Sequence, residues 1–88
     1  MNGSAKQIEW AESIQAKWIS QINDVINEAS RRVNDGSMPK NWLEIVKKHA
    51  NIATNKVESA KSASSVINQR LISMGDLVMG ASIKAYKA

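Results

Sequence analysis

Cysteine and phenylalanine are both missing from this 88-residue chain, and proline and histidine occur once each. Without cysteine there is no disulfide scaffold, no thiolate nucleophile and no cysteine zinc site. Glycine is sparse and scattered, at Gly3, Gly36, Gly75 and Gly80, so no phosphate-cradling glycine loop can be assembled. No run of 18 apolar residues exists, and the N-terminus has no signal-type apolar stretch. A cytoplasmic protein without a membrane partner is the expectation. Nothing alternates with period two, so no strands are expected.

What is present is small and helical. Eighty-eight residues make a single helical domain, residues 1–88, with a modest buried fraction. Its only aromatics are Trp10, Trp18, Trp42 and Tyr86, so Ile, Val, Leu and the indoles must supply the core. The net charge of +4 is unevenly placed. Residues 1–36 hold four Lys/Arg against five Asp/Glu, a balance of −1, whereas residues 37–88 hold eight against three, a balance of +5. A basic C-terminal portion can attract phosphate or an acidic protein face, and an acidic DNA mimic is excluded.

Periodicity sets the fold class, an all-α small helical bundle. Ser4 with Gln7 forms an S-x-x-Q capping box. Ile8, Ala11, Trp18, Ile22, Val25, Ile26, Ala29 and Val33 then fall within an arc of roughly 100°. Asn34-Asp35-Gly36 ends the pattern with a C-cap glycine, so the first helix covers about 4–34. A short connection containing Pro39 makes its successor pack antiparallel. Residues from about 39 to 74 read as one long kinked helix or two helices. Lys56 would fall on the apolar face of an unbroken helix, and Thr54 and Asn55 are better caps than helix interiors, so a break is expected within Asn51–Asn55. Gly75 closes this part, and Asp76 caps a short C-terminal helix.

Functional candidates are few. His49 has no adjacent nucleophile or carboxylate at a useful spacing, and no ligand cluster suits a metal. A non-enzymatic protein without catalytic, metal or cofactor residues is expected. Within the first helix, Trp18 lies on the apolar arc, but Trp10 projects roughly 110° from its centre, beside Ile14 and Lys17. Trp10, Ile14 and Lys17 are therefore the candidate partner-binding residues, unless a third helix covers them. Lys40, Lys47, Lys48 and Lys61 form a second candidate set, for nucleic acid or an acidic partner. The apolar faces look larger than one small chain can enclose, so a homo-oligomer or an obligate partner is expected, with His49 and Lys56 fixing helix register.

The stretch Lys6-Gln7-Ile8-Glu9-Trp10-Ala11, continued by Ile14 and Ile19, resembles the K-Q-I-x-W-A-x-x-I opening of small phage, prophage and mobile-element accessory proteins. Asn41-Trp42-Leu43 resembles the aromatic start of their second helix. The resemblance covers about the first 20 residues. It implies a protein that binds and blocks or redirects a host protein complex inside a bacterial cell. An anti-CRISPR inhibitor of a CRISPR effector is one such role, and a small basic helical nucleic-acid-binding protein is the alternative reading.

Overall fold

The computed structural model describes residues 1–88. It is all-α, with α1 at Ala5–Asn34, α2 at Lys40–Glu58, α3 at Ala63–Asn68 and α4 at Met74–Lys87. The capping box at the head of α1 forms as expected: the Ser4 hydroxyl accepts from the Gln7 N–H, and Gln7 Oε1 accepts from the Ser4 N–H. Gly36 sits at φ +84°, the left-handed conformation that lets the chain leave α1 without a Cβ clash. No helix is long and apolar enough to cross a membrane.

The spine of the molecule is α1, which packs against each of the other three helices. Gln15 of α1 meets Val57 near the end of α2, while the short connection joins Asn34 to Lys40, so α1 and α2 are antiparallel. The remaining chain runs back along α1. Gly3 lies against Ala63, Trp18 reaches Ile72, and Gln21 reaches Met74. Taken together, α3 and α4 act as a third helix of the bundle that is broken across residues 69–73. Extents of 48 × 23 × 18 Å and a radius of gyration of 14.6 Å describe an elongated body. A compact chain of this length would have a radius nearer about 12 Å.

The expected break within Asn51–Asn55 does not occur, because α2 runs without interruption to Glu58. Trp42, Val46, Ala50 and Val57 are its buried residues. Relative to their centre Lys56 sits roughly 85° around the helix, at the border of the buried face, so continuity costs it nothing. The chain stops being helical at Ser59 for a tertiary reason. Asn2 pairs with the connection in a short parallel bridge, its N–H donating to the Lys61 carbonyl and its carbonyl accepting from the Ala63 N–H, both at 2.8 Å. Gly3 allows this approach, since a Cβ there would lie 2.9 Å from the Ala63 Cβ.

Two further boundaries differ from the sequence reading. The helix expected to reach Met74 ends at Asn68, and Ser73, not Asp76, caps α4 by accepting from the Asp76 N–H. Gly75 therefore lies in the first turn of α4 and terminates nothing. There it lets α4 come close to Val25 and Gln21 of α1.

The core is thin: 13 residues are buried, with Ile22, Val46, Val78 and Ser82 the largest fully enclosed side chains. Ser82 satisfies its hydroxyl on the Val78 carbonyl at 2.7 Å. Trp42 is buried edge-on to Tyr86, ring centres 5.6 Å apart, and its Nε1 has no hydrogen-bond acceptor. Three α1 side chains spaced by three residues stitch the bundle. Gln15 Nε2 donates to the Val57 carbonyl at 2.7 Å, Trp18 Nε1 donates to the Ile72 carbonyl at 3.0 Å, and Gln21 Oε1 accepts from the Met74 N–H at 3.0 Å. The bonds of Trp18 and Gln21 satisfy a carbonyl and an N–H that the helix break would otherwise leave unpaired, and Gln15 gives the Val57 carbonyl a second donor beside the Ala60 N–H.

Truncation of Trp18 to alanine is expected to cost about 3–5 kcal/mol, a large share of the stability of so small a domain. Trp18→Phe keeps most of the volume but leaves the Ile72 carbonyl unpaired, and should cost about 1–3 kcal/mol. Urea unfolding of the two variants checks both values. At the end of α1, hydrogen bonding from Arg31, reinforced by Arg32, holds the Glu28 carboxyl below its ordinary value of 4.5. The stabilisation is therefore present above about that pH and is lost as pH falls through the lowered value. Glu28→Gln should flatten this acid limb in a pH series of thermal melts.

Candidate functional site

Because α3 touches α1 but not α2, the broken third helix leaves a gap in the bundle. A groove of about 500 Å³ opens there. Its first wall is α2, through His49, Ile52, Ala53, Lys56 and Val57. The facing wall is α4, through Met74, Leu77, Val78 and Ala81. Ser65 and Val66 of α3, with Gln69 and Ile72 of the following turn, close one end, and Trp18 lies at the base. Eleven of the fifteen lining residues are hydrophobic.

The groove is a surface feature and not a hole in the core. Ile52 is 44% exposed, Ile72 38% and Leu77 54%, so its rim presents large apolar side chains to water. Such side chains scattered singly are ordinary, but grouped around an apolar trough they make it the candidate interaction surface. Its base is held by the bond from the Trp18 indole to the Ile72 carbonyl, which fixes the turn and keeps the ring from filling the space above it. Lys56 and His49 are the only ionisable residues in the lining, and no carboxylate joins them. All ion pairs of the chain lie instead among Glu28, Arg31, Arg32 and Asp35, so Lys56 has no internal counter-ion.

The sequence-derived candidates are placed as follows. Trp10 is 50% exposed, and the Arg70 guanidinium, just beyond α3, stands 5.6 Å from the centre of its ring. Lys17 is exposed. Ile14 belongs to the buried core and is not available on the surface, a correction to the proposed trio. Its projection lies only about 20° beyond the edge of the apolar arc of α1, and packing of α3 against α1 extends the buried face that far. Trp10, further round, is left half out.

The lysines Lys40, Lys47, Lys48 and Lys61 are all exposed, but they do not converge. Lys40 opens α2 and Lys61 lies beyond its end, about 30 Å away at 1.5 Å per residue. Lys47 and Lys48 are successive residues of one helix and point about 100° apart. His49 and Lys56, expected to fix helix register, border the groove together.

Sequence reasoning missed the groove itself. Ile52, Leu77 and Ile72 are ordinary apolar residues in their own segments, and only the break at 69–73 leaves them facing one trough. The signals that could have been used were Gln15, a polar residue inside the apolar arc of α1, and the Trp18 donor beside it. No group of three or more His, Asp or Glu residues is placed to hold a metal ion. Set against known protein families, curated proteins and solved structures, the chain finds no match.

Proposed function

We propose that this chain is a non-enzymatic binding module that grips a partner protein through the groove between α2 and α4. Its origin, on the resemblance of the Lys6–Ala11 helix, is the accessory repertoire of a phage or mobile element. In that setting the grip blocks or redirects a host complex, a CRISPR effector being the most specific example.

The observation that carries the reading is the exposed apolar rim. Burying Ile52, Ile72 and Leu77 against a partner recovers hydrophobic free energy at about 25 cal/mol per Å², which the isolated chain forgoes. The chemistry of the lining points the same way. One imidazole and one ammonium among apolar side chains, with no carboxylate between them, suit contact better than proton relay. The dispersed lysines of α2 give no groove or stripe matched to a nucleic-acid backbone.

The test is capture from a bacterial host lysate, with nuclease treatment and a salt series, using the parent and three variants. Ile52→Asn/Leu77→Asn changes half-exposed rim residues and should cost about 1 kcal/mol per site, so folding of the double variant is checked by circular dichroism before capture. It should nevertheless lose a host protein that the parent retains after nuclease. Trp10→Ala, on the opposite flank of α3, should retain it; loss through Trp10→Ala alone would move the interface to that face. Capture of nucleic acid only, abolished by Lys40→Ala/Lys47→Ala/Lys48→Ala/Lys61→Ala, would replace the reading with the nucleic-acid alternative.

A further inference from the structure

The groove also specifies what fills it, an inference that rests on the groove being the binding site. We propose that its occupant is a single amphipathic α-helix of a partner protein whose apolar stripe is bordered by Asp and Glu.

The dimensions select a helix. Along α2 the wall from His49 to Val57 spans eight residue steps, about 12 Å, and along α4 the wall from Met74 to Ala81 spans seven, about 10 Å. A helix docking through anchors at i, i+4 and i+7 presents about 10 Å of apolar stripe, which matches both walls. The trough is bounded by two helices and lies where an unbroken third helix of the bundle would have closed against α2. A docked helix completes that packing.

Charge selects the flanks. Lys56 lies in the lining with no internal partner, two turns along α2 from His49, and no carboxylate lines the groove with them. Lys48, one turn before Ile52, and Lys84, two turns after Leu77, extend the same sides of α2 and α4 and are exposed. A helix with acidic borders therefore pairs its charges on docking, and one with basic borders brings like charges together. The same argument disfavours a second copy of this chain. Its most protruding apolar side chain, Leu71 at 91% exposure, is adjacent to Arg70, so inserting it would set Arg70 near Lys56 in an assembly of two chains of net charge +4.

The test uses the intact chain, ¹⁵N-labelled, with three synthetic helical peptides. Two share leucines at i, i+4 and i+7 and differ only in glutamate or lysine borders; the third has glutamate borders and scrambled leucines. The glutamate-bordered peptide should shift the amides of Ile52, Ala53, Lys56 and Leu77. It should bind about ten-fold tighter than its lysine counterpart at low salt, the effect of two or three exposed ion pairs. The preference should shrink as salt rises, and shrink also in Lys56→Glu, which turns one of the attractive pairs into a repulsive one. Equal affinity of the two peptides at the groove amides would overturn the acidic partner while leaving the groove reading intact. Equal binding of the scrambled peptide would overturn the helix. No shift at the groove amides with any peptide overturns this inference, and the lysate capture by the rim variant then decides the groove reading separately. Sedimentation showing a dimer that Leu77→Asn dissociates would install a second copy as the occupant instead.

Discussion

The hydrogen bond from the Trp18 indole to the Ile72 carbonyl is the contact on which the shape of this protein turns. An indole must both bury a large ring and satisfy one N–H, and in a thin all-helical core few acceptors are free, because helices consume their own carbonyls. The third helix supplies one by breaking. Trp18 thus sits in the core, holds the turn between α3 and α4, and forms the base of the groove. Gln15 and Gln21, one turn to either side, do similar work for the end of α2 and the start of α4.

A domain that buries only 13 residues has little free energy to spend on unfavourable features. The unpaired Nε1 of buried Trp42 is one such feature, and the exposed rim of Ile52, Ile72 and Leu77 is another. The two differ in kind. The Trp42 ring is enclosed and stacked edge-on with Tyr86, where no partner can relieve it. The rim faces solvent around a trough, where a partner can. Retained instability that another molecule can remove is the physical form of a binding site, and it is the ground on which the groove is preferred to the Trp10 face. There the ring already has the Arg70 guanidinium over it.

Electrostatics divides the molecule along the same line. The carboxylates of the C-terminal end of α1 are matched by Arg31 and Arg32, so that end is internally neutralised. The cations of α2 and α4 are not. The positive balance of residues 37–88 is therefore available to an outside partner, and Lys56 places one of its cations in the lining of the apolar trough while the others are dispersed.

Local rules alone determined much of this. The capping box at Ser4 and Gln7, the apolar arc of α1, its end at Gly36, the antiparallel second helix and the core position of Trp18 all follow from spacing and turn chemistry, which act within a few residues and so can be read along the chain. The tertiary structure decided the rest. Whether α2 breaks at Asn55 or at Ser59 depended on Asn2, 60 residues away in sequence from Ser62, pairing with the connection. Whether Ile14 faces solvent depended on α3 packing beside it, and whether Ile52 and Leu77 share a site depended on where the third helix gives way. Polar side chains such as Gln15, Trp18 and Gln21 end or break helices that lie far from them in the chain. A hydrogen bond between distant residues leaves no period in the sequence, so the groove it creates could be seen only once the helices were packed.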